Sequence, residues 1–201
     1  MVLVKPEQGR AQITDLGTAV RIIIPSKKTW YSILASIFTG FWLFLWLLGG
    51  IAMIFKLVFD FGSKDTPFIF FGFIMWIIFG VLASWQFLWP LVGEEDVLIN
   101  IEIIRIYTHA WILGWVKEYT LTDLSYFRAK EGGYGMFSSM NPQGPFTASN
   151  GTIKFNIKTR TIGFGQNLDE PEASYILHLL KNKGFITEEM LKPPKKLVPN
   201  W

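Results

Sequence analysis

The sequence predicts an α+β membrane protein in which a two-helix transmembrane hairpin is inserted into a β-rich domain closed by a C-terminal helix. Three observations predict it. Thr29–Phe55 and Thr66–Gly93 carry no charged side chain, and each exceeds the roughly 20 apolar residues that cross a bilayer core about 30 Å thick. Only the segment Lys56–Asp65 joins them. On both sides of this pair apolar and polar residues alternate at period two, the mark of half-buried strands.

The chain has 201 residues. With the hairpin set aside roughly 140 remain, enough for one small domain and too few for two. The formal charge is +3, and acids interrupt the bases throughout, so the basic stripe of a nucleic-acid binder is missing and nucleic acid is not an expected partner. Mild basicity suits a surface near anionic lipid headgroups. Cysteine is absent, which removes disulfides, thiolate metal sites and cysteine nucleophiles. The first apolar run follows a polar leader and is too long for a signal-peptide core, so it reads as a retained anchor.

The spans read as helices of about 29–55 and 67–90 within a hairpin covering 29–93. Trp30 and Tyr31 open the first, and Trp85 and Trp89 close the second. In an antiparallel hairpin these rings share one membrane interface, where amphipathic aromatics collect. Pro67 sits where a missing N–H is harmless, and Pro90 is expected to end the helix. Ser36-x-x-x-Gly40 and Gly80-x-x-x-Ser84 are small-residue spacings expected to pack the hairpin against itself. Arg10, Arg21, Lys27 and Lys28 precede the first span, while the connector has only Lys56 and Lys64. This asymmetry puts both termini on the cytoplasmic or stromal side, in a bacterial plasma membrane or a thylakoid.

The strands come next. In 1–28, Ala11, Ile13 and Leu16 precede Gly17, and Val20, Ile22 and Ile24 alternate up to Pro25, giving the first two strands. The remainder of the domain is 94–184. Glu94-Glu95-Asp96 reads as a solvated exit from the membrane. Val97, Ile99, Ile101 and Ile103 then share one strand face, and a phase shift at Ile104 and Ile106 suggests a bulge. Thr108-His109 is a candidate turn before Trp111, Leu113 and Trp115. Tyr119 and Leu121 continue that strand, and further strands follow at Leu124 to Arg128, Ile153 to Ile157, and Ile162 to Phe164. The total is about seven.

One soluble helix closes the domain. Asp169 and Glu172 form a capping-box pattern, Ala173, Ile176, Leu177 and Leu180 an apolar stripe, and Gly184 a natural stop. The tail 185–201, with Pro193-Pro194-Lys195-Lys196, reads as extended. The long loop Glu131–Gly151 is rich in Gly, Ser, Asn and Pro yet holds Tyr134, Phe137 and Phe146. Loops of this length are functional or disordered.

Gly93-Glu94-Glu95 after the second span, Lys117-Glu118-Tyr119-Thr120-Leu121-Thr122-Asp123-Leu124, and Ile162-Gly163-Phe164-Gly165 leading into the Asp169–Gly184 helix together resemble the bacterial PH-like (pleckstrin-homology-type) membrane proteins. That resemblance implies a PH-like β-barrel or sandwich carried on a two-helix anchor, with an adaptor or scaffold role. A photosystem I assembly factor family is similar in plan, a hairpin plus a β-rich domain.

No catalytic constellation emerges. His109 and His178 are the two histidines, and neither has neighbours that would orient a base or complete a metal site. Gly132, Gly133 and Gly135 lack the Gly-Lys-Ser/Thr of a phosphate loop. The expectation is therefore a non-enzymatic protein without cofactor or metal, surrounded by membrane lipids and binding a membrane-protein partner. Tyr134, Phe137 and Phe146 are candidate partner anchors, since interface hot spots favour large rings. The alternative is a lipid-headgroup sensor reading acidic lipids through Arg21, Lys27 and Lys28.

Overall fold

The computed structural model describes residues 9–59, 62, 64–130, 151–166 and 168–193. The chain divides into two compact units, residues 27–93 and the flanking 1–26 with 94–201.

The helical unit is a pair of long helices, α1 (Trp30–Phe59) and α2 (Thr66–Val92). At 1.5 Å per residue they measure about 45 and 40 Å. Both are long and apolar enough to cross a membrane. Their outward faces are apolar and exposed, with Phe38 71% and Phe68 81% accessible. The hydroxyls of Ser32, Ser36 and Thr39 donate to the carbonyls of Thr29, Ser32 and Ala35 at 2.7–2.8 Å. These hydroxyls are thus satisfied by carbonyls three or four residues earlier in the chain.

The small residues face the partner helix, but they receive aromatic rings instead of a neighbouring backbone. Phe87 lies against Gly40, Trp76 against Gly49 and Trp46 against Gly80, an order that makes the pair antiparallel. Trp46 stacks on Trp76 at 4.7 Å and on Trp42 at 5.8 Å. Both helices outrun their expected ends. α2 passes through Pro90 to Val92, because a proline this close to the end disturbs only the last turn, and the N–H of Gly93 donates to Trp89.

Among the described residues the other unit has eight strands in two sheets. The five-stranded sheet has the order β1 (Gln12–Asp15), β2 (Ala19–Pro25), β3 (Gly93–Asn100), β4 (Ile103–Ala110) and β5 (Leu113–Thr120). The second sheet orders β6 (Leu124–Ala129), β7 (Ile153–Ile157) and β8 (Arg160–Phe164). β2 pairs with β3 across the helical insert, from Ala19 opposite Asn100 to Pro25 opposite Glu94. Val20, Ile22, Ile24, Val97, Ile99, Ile104 and Ile106 meet Phe127, Phe155 and Phe164 in one core. α3 (Glu170–Asn182) adds Ala173, Ile176, Leu177 and Leu180 to it. Gly184 at φ +80° ends α3, with Phe185 N–H donating to Leu180 O at 3.0 Å.

Five expectations are corrected. The phase shift at Ile104 is a hairpin turn: Asn100 Oδ1 accepts from the N–H of Glu102 and Ile103 at 2.8 and 2.7 Å, leaving Ile101 exposed. Thr108 and His109 lie within β4, and the turn is Trp111-Ile112. Asp169 makes no side-chain capping bond, and Glu172 Oε1 accepts from Ala11 N–H at 2.7 Å. The tail after Gly184 begins as core, with Phe185 and Ile186 buried before a last helical turn, α4 (Glu188–Leu191). Within Glu94-Glu95-Asp96 only Glu94 is solvated, because the inward–outward alternation of β3 begins at Gly93.

Glu95 is buried and ties the two sheets together. Its Oε2 accepts from the N–H of Gly165 at 2.7 Å, with Gln166 N–H at 3.4 Å, just beyond β8. Gly165 holds φ +75°, and a Cβ there would sit 2.6 Å from Leu168. Burial pushes the carboxyl up to about 7, against the opposing pull of those N–H groups and Lys117.

Two predictions follow from this packing. A Cβ on Gly80 would lie 1.8 Å from the Trp46 ring, so Gly80→Ala should destabilise the helix pair by about 1–3 kcal/mol. Thermal melts of the full chain in detergent should show this loss, with Trp46→Leu in the same chain recovering most of it. For Glu95 the folded state holds its proton more tightly than the unfolded state. Its contribution is therefore fully present below pH 4.5 and lost as pH rises through about 7, a change of up to about 3 kcal/mol. The melting temperature should fall between pH 5 and pH 8, and Glu95→Gln, which still offers an acceptor to Gly165, should flatten that slope.

Candidate functional site

The outer face of the three-stranded sheet carries a row of bases. Arg128 of β6 stands directly opposite Lys154 of β7, and Lys130 follows one residue after β6 ends. Like charges opposite one another across strands are destabilising, so this pairing is a cost to the fold. Lys154 is half-buried, and its ammonium is held below the usual lysine range by burial, then by Arg128 and Lys130. Among the described residues no carboxylate forms an ion pair with any of the three.

The local chain explains the placement. The β6–β7 register shifts between Ser125 and Arg128, and Tyr126 adopts φ +54° at that bulge. The Arg128 guanidinium lies 4.4 Å over the Tyr126 ring. It also donates to Tyr126 O and Asn156 Oδ1, both at 3.1 Å. Thr161 Oγ1 donates to the same Asn156 oxygen at 3.0 Å. Arg128 is thereby fixed, and no carboxylate among the described residues pairs with it. Behind this face Gly151 packs so closely on β8 that a Cβ would fall 2.1 Å from Phe164 N. The sequence offered no direct signal for the row, since the register that aligns Arg128 with Lys154 spans the long loop.

The residues singled out from sequence are placed as follows. Arg21 commits its guanidinium to Asp96, with Nε 3.0 and 3.1 Å from the two carboxylate oxygens and Nη2 2.6 Å from Oδ2. This hydrogen-bonded pair raises the arginine above its ordinary value. Arg21 belongs to the β unit, whereas Lys27 and Lys28, both exposed, open the helical unit. Tyr134, Phe137 and Phe146 lie outside the described residues. His178 is exposed, and His109 stacks on Tyr107 at 4.6 Å. Among the described residues no group of three His, Cys, Asp or Glu side chains is placed to hold a metal.

Two other surfaces are distinctive. On the helical unit a shallow apolar groove of about 590 Å³ runs past Trp42, Trp46, Met75, Trp76 and Phe79. On the β unit the turn between β4 and β5 exposes Trp111 and Ile112, 71% and 78% accessible. Trp111 takes φ +56° there. β5 itself is an edge strand of its sheet.

Comparison with protein-family models, with curated proteins and with solved structures gave no match for this chain.

Proposed function

We propose that this chain is a two-span membrane protein whose β domain, PH-like in plan, serves as an adaptor or scaffold for a protein partner. The membrane part rests on α1 and α2. A core helix of equal length would be covered by protein, whereas α1 buries Ser36 alone among its residues and α2 buries Gly80, Trp85, Trp89 and Pro90. Such a surface needs lipid around it.

The observation that carries the adaptor reading is the row Arg128–Lys154–Lys130, which pairs with no carboxylate among the described residues. A fold that sets like charges in register and half-buries one of them spends stability on them, and an acidic partner surface would return it. Lys130 directly precedes in sequence the segment 131–150, which bears Tyr134, Phe137 and Phe146. Arginine beside aromatic rings is the composition favoured at interface hot spots. The headgroup-sensing alternative is weakened at Arg21, whose charge already serves Asp96.

A photo-crosslinking amino acid at Lys130 in the full chain, activated in cells, should yield a discrete adduct with a polypeptide. Arg128→Ala with Lys154→Ala should reduce its yield about tenfold, as expected when close charge pairs are removed from an interface. An adduct with phospholipid alone would support the headgroup reading. Topology is tested separately: both termini are placed in the cytoplasm or stroma with the connector opposite. Cysteines at the exposed positions Thr18 and Lys64 should then label oppositely in intact cells with an impermeant thiol reagent, Lys64→Cys being the reactive one.

A further inference from the structure

The β4–β5 turn sets two large apolar residues where turn chemistry asks for the opposite. Two-residue hairpin turns favour Asn-Gly or Gly at positive φ, yet Trp111 sits at φ +56° with Ile112 beside it. Strain of this kind on a bulky residue is unfavourable and collects at functional positions. Neither side chain is recruited to the core, for both stay more than two-thirds exposed. From Ala110 to Val116 the chain carries no charge. The first ion pair on this hairpin is Arg105–Glu118, about 20 Å from the tip at 3.3 Å per residue.

The strand order locates the tip. β2 ends at Pro25, opposite Glu94 near the start of β3, so the chain leaves for α1 and returns from α2 at one end of the sheet. β3 and β4 are neighbours, eight residues each, joined by Ile101-Glu102. So short a link makes them antiparallel. β4 therefore runs back to the end where β3 began, and Trp111-Ile112 projects there. Ile101, 72% exposed, marks the opposite end.

We infer that the Trp111-Ile112 turn inserts into the lipid interface, a third membrane contact made by the β domain itself. This rests on the reading of α1 and α2 as membrane spans. Tryptophan and isoleucine suit that depth because the indole body prefers hydrocarbon while its N–H stays within reach of headgroups and water. With the turn seated in lipid, the sheet is held at its end as well as through its two chain connections.

Because the chain has no cysteine, single cysteines can carry an environment-sensitive fluorophore. Full-length protein labelled at Ile112, Ile101 or Leu48 is reconstituted in phosphatidylcholine vesicles containing phosphatidylglycerol. Quenching is measured with lipids spin-labelled high on the acyl chain and with aqueous iodide. The label at Ile112 should be quenched by the lipid and be about fivefold less sensitive to iodide than the label at Ile101, as burial at the interface requires. Iodide sensitivity at Ile112 equal to that at Ile101, with Leu48 lipid-quenched, would overturn the insertion while leaving the spans intact. Shielding from iodide without lipid quenching would show protein covering the turn and overturn it too. A Leu48 label untouched by the lipid would remove the span reading, and the insertion with it. In a second variant the label sits at Leu113 beside Trp111→Gly and Ile112→Asn. Lipid quenching should then disappear with no fall in melting temperature, since glycine is favoured where the first turn residue takes positive φ; quenching that persists would count against the proposal.

Discussion

The pairing of β2 with β3 across the helical insert is the constraint on which the rest of the β unit depends. Seven residues of each strand are in register, and the row brings Val20, Ile22 and Ile24 alongside Val97 and Ile99 in the core. Fully burying side chains of this kind contributes roughly 1.5–3 kcal/mol each. Closing a flexible loop the length of 26–93 would oppose that pairing. An antiparallel pair of nearly equal helices does not behave as such a loop, because it finishes at the level where it started. The rings seated on Gly40, Gly49 and Gly80 hold that pair, so helix packing and strand register support one another. Arg21 and Asp96 then pin the register with a fork of hydrogen bonds.

Inside the β unit the buried polar groups converge on the connection between β8 and α3. Glu95 takes the N–H of Gly165, Thr152 Oγ1 donates to Leu168 O at 2.8 Å, and Glu172 of α3 takes the N–H of Ala11. Each side chain satisfies backbone that no strand or helix partner reaches, where an orphaned group would cost about 1–3 kcal/mol. A carboxyl group is an expensive way to do this in an apolar surround, which is why Glu95 holds its proton toward neutrality. Gly165, whose N–H it takes, holds φ +75°, a conformation glycine adopts without steric cost.

Elements governed by periodicity and local chemistry were legible from sequence. Both apolar spans, the α3 stripe, the Gly184 stop and the alternation of Val20, Ile22 and Ile24 appear where they were expected. Elements governed by tertiary partners were not. Glu95 reads as a solvated acid because sequence does not reveal that β3 starts at Gly93. Glu172 reads as half of a capping box because Ala11, which uses it, lies 161 positions away. Asn100 was a legible turn residue hidden by the isoleucines around it, and missing it left one strand uncounted. The Arg128–Lys154 row was illegible for a different reason: register across a long loop has no local signature.

The misread turn belongs to a wider pattern. Most turns of the described residues obey local preference, with Gly17, Gly165 and Gly184 supplying positive φ and Asn100 closing β3. Among the described residues three non-glycine residues take positive φ: Trp111, Tyr126 and Lys158. Lys158 lies in the two-residue turn between β7 and β8, where a solvated side chain carries little penalty. The other two are bulky aromatics for which that conformation is unfavourable. Tyr126 occupies the bulge beneath the Arg128 guanidinium, and Trp111 forms the exposed tip of the β4–β5 hairpin. Sequences agree with their folds at most positions, and disagreement is expected where a site exacts a cost. Here the two strained aromatics fall on the two surfaces that the core does not need, one basic and one apolar. Each surface therefore carries a local cost that packing within the β unit leaves unexplained.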